Sequence, residues 1–322
     1  MTELTEQIVY FDGRYMPLSE ARIPILDHAV LYGDGVFEGI REYDGNIFRL
    51  DQHLDRLYSS AESLMIRIPV SKDEMAKIVA GTCAINHFNN CYLRLVVTRG
   101  GDKLGVAPNN SIGPRIFCVA QKVHMFSDEI FQHGLHAKTS SFRRNNATTI
   151  DPQIKSLNYL NNVRAVLEAK QVGCDEAIML TEDGLVTEGS GDNIFIVKNR
   201  VLITPPVWVG TLDGITRRNL LECAKNGGYD IREEPFTLTN MYSADEVFLT
   251  GTMAEIIALT EIDGHVIGRG KAGIVTTDVL RLFRDYVKDP AHGYKVDMDK
   301  AEQYNFDELF VMHPEYSGAE QQ

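Results

Sequence analysis

Hydrophobic and polar positions alternate along this chain with two different periods. Residues 8–50 read as short strands joined by tight turns, with Asp12-Gly13 and Asp44-Gly45 between them. The Asp-Gly pairs mark hairpin turns, because glycine takes positive φ without steric cost. The period then becomes helical. Leu54, Leu57, Tyr58, Ala61, Leu64 and Met65 predict a helix capped by Asp51 and reaching about residue 66. Ser71 and Glu74 have capping-box spacing and predict a second helix to about residue 87. Strands are expected over 92–98 and 115–121. Residues 122–136 carry no strong period. Beyond them the pattern predicts a strand over 136–141, a loop, and a helix that begins at Lys155 or Ser156 and ends near residue 171. Strands follow over 177–180, 185–188, 193–198 and 201–204, then a helix from the 212–216 turn to about residue 226. Strands over 246–249 and 256–260, a helix over 272–288 and a polar tail complete the chain. This order implies an α/β chain of the α+β type with two domains: residues 1–122 as a small N-terminal domain, 123–136 as a linker, and 137–322 as a larger domain.

Composition narrows the function. The chain has 322 residues, 44% hydrophobic and 24% charged, enough to bury a core without staples. Its net charge of −13 argues against general binding to nucleic acid or membrane surfaces. The N-terminus reads as neither a secretory signal nor a membrane span, so the expected location is cytoplasmic. Five cysteines, odd in number and widely spaced, predict reduced thiols and neither disulfides nor a zinc site. His133 and His136 have no matching cysteine or carboxylate pair and read as loop histidines, leaving no metal site.

Several residues carry chemistry. In Ile154-Lys155-Ser156-Leu157-Asn158-Tyr159-Leu160-Asn161-Asn162, Lys155 is the only charged side chain. A lysine drawn out of water gives up its proton more easily and becomes a nucleophile suited to Schiff-base chemistry; by this stretch alone the solvated helix start is the favoured reading. Tyr159, four residues on, can meet the same ligand. Arg56 lies off the apolar stripe of its helix and alone reads as a surface residue. Tyr92 and Arg94 leave one face of a strand, where they could clamp a carboxylate or simply form a polar edge. Tyr32-Gly33-Asp34-Gly35 is a weak phosphate-loop pattern with no following lysine. Glu188 opens a glycine-rich break and is either a turn acceptor or the partner of a cation such as a protonated pyridine. The turn at Leu212-Asp213-Gly214-Ile215-Thr216 enters a helix whose start can bind an anion or carry a threonine cap.

Together these form the set that pyridoxal 5'-phosphate (PLP) requires. The motifs YGDGVFEGIR (32–41), HLDRLYSSA (53–61), CYLRLVVTRG (91–100), IKSLNYLNN (154–162), VTEGSGDNIF (186–195), LDGITR (212–217) and DEVFLTGTMAEI (245–256) resemble, in order, those of the fold-type IV PLP-dependent aminotransferases, in the branched-chain amino-acid group. The resemblance covers about residues 8–286. It implies a D-amino-acid aminotransferase-like fold with the cofactor between the domains, and a homodimer or higher homo-oligomer. Lys155 then matches the Schiff-base lysine and Glu188 the partner of the pyridine nitrogen. Tyr159 matches the tyrosine near the phenolic oxygen. Arg56, Ile215, Thr216 and Thr252 match the phosphate binders, and Leu212 the residue packed on the ring. Tyr92 and the Thr252–Met253 backbone match the α-carboxylate site. Tyr32, Phe37, Gly39 and Arg94 match the side-chain pocket and the contact to a distal carboxylate, some of them reaching across a dimer interface. The implied reaction is transamination of L-leucine, L-isoleucine and L-valine with 2-oxoglutarate, giving 2-oxo acids and L-glutamate. The alternatives on this scaffold are a D-amino-acid or (R)-amine transaminase and aminodeoxychorismate lyase.

The chain departs from the family in three places. Asp213 stands where proline is frequent. Val123-His124-Met125-Phe126 replaces the aromatic residues of some relatives. The loop Gly100-Gly101-Asp102-Lys103-Leu104-Gly105 lacks the arginine and histidine that D-specific relatives tend to carry.

Overall fold

The structure, a computed structural model, describes residues 7–108, 112–123 and 128–297. The described residues divide into two compact units. The first holds the chain up to Val123, the segment Ile154–Asn158 and the chain from Lys288 onward; the second holds the rest.

The first unit begins with a hairpin of β1 (Ile8–Phe11) and β2 (Arg14–Pro17). Asp12 and Gly13 both take positive φ, 48° and 100°, as a tight two-residue turn between twisted strands requires. A short helix α1 (His28–Tyr32) leads to β3 (Gly35–Tyr43), β4 (Asn46–Phe48), helices α2 (Leu50–Ser63) and α3 (Lys72–Ile85), and strands β5 (Cys91–Thr98) and β6 (Arg115–Lys122). The capping box at α3 is formed in both directions: Glu74 N donates to Ser71 Oγ at 3.2 Å, and Ser71 N donates to Glu74 Oε2 at 2.7 Å.

Alternation sorts the two long strands. Val36 and Ile40 of β3 and Leu93, Leu95 and Val97 of β5 enter one core with Leu54, Leu57, Ile78 and Val79 of the helices. Phe37, Gly39 and Arg41 stand on the opposite face, in register with Val96, Arg94 and Tyr92. Glu38 falls on the helix side and is fully buried.

The second unit contains α4 (Asp128–His133), β7 (Leu135–Thr139), α5 (Leu160–Gln171), β8 (Glu176–Leu180), β9 (Val186–Gly189), β10 (Asn193–Lys198), β11 (Val201–Thr204) and α6 (Ile215–Asn226). It continues with β12 (Ile231–Glu233), α7 (Leu238–Tyr242), β13 (Glu246–Gly251), β14 (Glu255–Ile262), β15 (His265–Val266) and α8 (Ile274–Val287). Among the described residues the strand order is β12-β11-β10-β13-β14-β7-β8-β9, and β9 returns to pair with β10 through Glu188 and Asn193. Strands β10, β13, β14, β7, β8 and β9 therefore close into a ring. β7 and β8 run parallel, and parallel neighbours need a crossover, which α5 supplies. Ala165 and Ala169 of α5 are small enough to bring it onto Ala177 and Met179. After α8 the chain returns to the first unit, where β16 (Gly293–Lys295) pairs with β4.

The structure corrects several expectations. The chain does not divide at a single break, because Ile154–Asn158 and β16 belong with the N-terminal strands. Within the expected 123–136 linker, Asp128–His133 are helical and β7 has begun by Leu135; residues 124–127, most of the segment that departs from the pocket aromatics of some relatives, lie outside the described residues. His133 and His136 therefore sit on a helix and a strand. The first long helix is not capped by Asp51: it starts at Leu50 behind Arg49 in the left-handed conformation and stops at Ser63, leaving Met65 at positive φ and exposed. Gly33 is the left-handed end of α1 and Gly35 opens a packed strand, so neither belongs to a phosphate loop.

Most consequential, no helix begins at Lys155. The segment pairs with the edge of β3: Leu157 N donates to Gly35 O at 2.9 Å, and Phe37 N donates to Lys155 O at 3.0 Å. Those bonds satisfy backbone groups that a helix would otherwise take, and α5 starts only at Leu160. A side chain at Gly35 would place Cβ 2.7 Å from both Leu157 Cδ1 and Val97 O. Gly35→Ala is expected to destabilise the protein by about 1–3 kcal/mol, the usual cost of overpacking. A urea midpoint equal to wild type would refute this close approach.

Candidate active site

In the first unit the lysine reaches toward the face opposite the helices. Its Nζ lies 4.8 Å from the centre of the Phe37 ring. Its backbone is fixed by β3 and by Lys155 N donating to Ser60 Oγ of α2 at 3.2 Å. Arg94, two residues along β5 from Tyr92, spreads its guanidinium 4.5 Å above the same Phe37 ring and donates to Tyr92 Oη at 3.1 Å. Gly39 faces Tyr92 so closely that a Cβ there would stand 2.1 Å from the hydroxyl. Phe37, Gly39, Tyr92, Arg94 and Lys155 thus form one constellation: an aromatic floor, a phenol, an exposed cation and a half-buried amine. Tyr32 makes other contacts. Its hydroxyl accepts from Gly105 N at 3.1 Å, and its ring meets His28 edge-on.

The helix side holds a second group. Arg56 is no surface arginine. Nε donates to Glu38 Oε1 at 2.7 Å and a terminal nitrogen to Oε2 at 2.8 Å, while His53 Nδ1 lies 2.7 Å from Oε2. Burial alone would raise the Glu38 pKa, but the charge and hydrogen bonds of Arg56, helped by His53, hold it down at about 2. His53 is itself pushed below its usual value, first by burial and then by the charges of Arg56 and Lys155, against the pull of Glu38. It therefore meets Glu38 as a neutral ring donating from Nδ1.

The second unit holds another carboxylate surrounded by donors. Glu188 Oε1 accepts from Arg144 Nε at 2.7 Å. Its Oε2 accepts from Thr211 Oγ1 at 2.7 Å, Leu212 N at 3.0 Å and Asn193 Nδ2 at 3.0 Å. Just beyond, α6 begins at Ile215 behind Gly214, which provides no side-chain cap. The first N–H groups of the helix receive no cap from the Gly214 side and have no intrahelical acceptor, and Ile215 and Thr216 are buried there. Thr216 is the second helical residue and not the cap. Thr252 and Met253 lie in the turn from β13 to β14, where a Cβ on Gly251 would fall 1.6 Å from Asp192 Oδ1. The turn is held by Glu255, at φ 56° and buried, whose Oε2 accepts from Arg284 Nε at 2.8 Å. A carboxylate suited to a protonated nitrogen, a helix start suited to an anion and a glycine-lined turn fit a phosphorylated pyridine. Tyr159 is the residue just before α5, half-buried, with its carbonyl accepting from Val163 N at 2.9 Å.

Four residues that organise these groups escaped the sequence pattern: Glu38, His53, Arg144 and Asn193. Two left a trace. Glu38 is a charge at a core-facing strand position, and His53 lies three residues before Arg56 on one helix side. Arg144 sits in an aperiodic loop and left none. Among the described residues no histidine, cysteine and carboxylate cluster could hold a metal ion.

The Glu38 pair sets an acid limit. A carboxyl group whose folded pKa lies below its unfolded value stabilises the fold above that unfolded value and loses the effect as pH falls through the folded one. For Glu38 the window runs from the ordinary 4.5 down to about 2 and is worth about 3 kcal/mol. The gap in urea stability between wild type and Glu38→Gln should be constant above about pH 5.5 and shrink steadily below 4.5. A gap independent of pH down to 3 would contradict the assignment.

Comparison with known proteins identifies the family. The family described as amino-transferase class IV matches residues 35–262. A branched-chain-amino-acid aminotransferase of Pseudomonas aeruginosa is 37% identical over 292 residues, covering 88% of this chain and 95% of the relative. The branched-chain aminotransferase of Thermoproteus uzoniensis, solved with norvaline, superposes with a TM-score of 0.82 at 34% identity, over 92% of this chain and 97% of that one. The branched-chain amino acid aminotransferase of Thermobaculum terrenum in its PLP-form gives 0.83 at 29% identity, over 92% and 100%. The two-unit mixed fold is that of the fold-type IV enzymes, and the chain belongs to the class IV aminotransferases.

Proposed function

We propose that this protein transfers amino groups between L-leucine, L-isoleucine or L-valine and 2-oxoglutarate, with PLP as cofactor. The observation that carries the reading is the first-unit constellation, in which an apolar wall and a cation share one face beside a lysine amine. The names of the relatives support the same substrate class. Bound PLP would supply a carbonyl that captures amines and a ring that accepts electrons. Ile215, Thr216 and Thr252, with Arg56, would hold its phosphate, Leu212 would pack on its ring, Tyr159 would meet its phenolic oxygen and Glu188 its ring nitrogen. Lys155 Nζ takes the proton from the substrate Cα and later returns one, acting as base and then acid. Tyr92 and the Thr252–Met253 backbone hold the α-carboxylate.

Substrate choice follows from the face around Phe37. Phe37 accepts a branched aliphatic chain, whose burial is worth about 1.5–3 kcal/mol, and the missing side chain at Gly39 is what lets the Tyr92 hydroxyl stand beside it. Glutamate brings a charge that is costly to bury alone, and Arg94 is the partner at hand, with Tyr32 adding a hydroxyl. The exposed apolar stripe of Leu160, Val163 and Leu167 along α5 supports a homodimer or higher homo-oligomer. Five free cysteines suit the cytoplasm, and among the described residues no helix is long and apolar enough to cross a membrane.

Two experiments test the reading. Borohydride reduction of the yellow protein, followed by peptide mapping, should place a phosphopyridoxyl group on Lys155, and Lys155→Ala should complete no turnover. An adduct on another lysine would displace Lys155 from this role. Arg94→Leu should raise KM for glutamate and 2-oxoglutarate at least about tenfold while leaving the leucine half-reaction nearly intact, as the loss of one charged hydrogen bond predicts. Equal losses in stopped-flow half-reactions would assign Arg94 to the α-carboxylate or to the fold. Activity on D-alanine without activity on L-leucine would overturn the branched-chain reading.

A further inference from the structure

We propose that Asn193 is the positioning residue that holds the ring-nitrogen carboxylate and the phosphate-binding helix start in one register. The proposal rests on the reading above of Glu188 and the α6 start as cofactor contacts.

Asn193 is buried at the first position of β10, paired across the ring closure with Glu188. Its amide nitrogen lies 3.0 Å from Glu188 Oε2, 2.8 Å from Leu212 O and 2.9 Å from Thr211 Oγ1. A carboxylate and a carbonyl only accept, so they fix which end of the amide is nitrogen. Thr211 Oγ1 gives its proton to Glu188 and so receives from Asn193. Leu212 is held from both sides, its N–H by Glu188 and its carbonyl by Asn193. The amide oxygen points the other way, over the start of α6: a Cβ on Gly214 would sit 1.9 Å from Asn193 Oδ1. Only glycine lets the helix start this close to the amide. One side chain therefore touches the carboxylate, the backbone of the ring-packing residue and the residue that begins the anion-binding helix. If Asn193 moves, all three move relative to one another.

The experiment measures affinity of the full-length protein for pyridoxine 5'-phosphate, which lacks the aldehyde and binds without covalent capture. Calorimetry of Glu188→Gln and Thr216→Ala establishes the two contacts separately. Asn193→Ala should weaken binding about ten- to hundredfold, and its effect should be less than additive with each of the other two, as for groups acting as one unit. Asn193→Asp, nearly isosteric, covers the case in which the alanine variant does not fold. It keeps an oxygen over Gly214 but replaces the donor to Glu188 with a negative charge. That charge favours protonated neighbours, so the pH midpoint of the absorbance change of bound PLP should move up. A loss of packing alone would lower the melting temperature without moving that midpoint. If Glu188→Gln and Thr216→Ala both bind normally, the cofactor reading falls and the proposal with it. If they bind weakly while Asn193→Ala binds as wild type, is fully additive with both, or Asn193→Asp leaves the midpoint in place, the proposal alone is wrong.

Discussion

A carboxylate taken out of water must be met by donors or it costs several kcal/mol. Each unit of this protein holds such a group among its candidate site residues. Glu38 stands on the core side of β3 and receives Arg56 and His53 from α2. Glu188 stands at the closure of the strand ring and receives Arg144, Thr211, Leu212 and Asn193. Neither set of donors can drift without leaving a charge unpaired. The buried carboxylates therefore fix the helix and loop segments around them, and those segments carry the proposed cofactor contacts Arg56, Leu212 and the start of α6.

The same constraint explains what the sequence disclosed. Strand alternation was legible, and it placed Tyr92 with Arg94 and Phe37 with Gly39 on shared faces. The capping box at Ser71 and the Asp-Gly turns were legible because each is local chemistry. Lys155 stood out for its isolation. Its backbone was misread, because nothing local in residues 154–162 marks where the helix begins. What ends the helix at Leu160 is the edge of β3, more than a hundred residues earlier, which takes the loop's backbone hydrogen bonds. No local pattern reports a partner so far away. Arg144 was hidden for the same reason, since its meaning comes from Glu188 across the fold. The course of the chain after Lys288 also depends on a distant pairing, with β4.

Placing Lys155 on a strand-paired loop has a chemical consequence. A general base must keep its amine within hydrogen-bond reach of the proton it moves, and small errors of position are costly. The aliphatic stem of lysine is flexible, so precision has to come from its attachment and its walls. Here Ser60 and Phe37 fix the backbone on either side of Lys155, and the Phe37 ring lies beside its amine. Phe37 is at once a wall for the amine, a surface under Arg94 and, through its own N–H, an anchor for the lysine backbone. A change at this one residue would disturb the lysine backbone, the wall beside its amine and the surface under the cation together. Arg94 is different. It leaves the strand at an exposed position and touches Phe37 only with the face of its guanidinium. It also donates to Tyr92 Oη, so replacing it would remove one cation and one hydrogen bond from this face without opening the core.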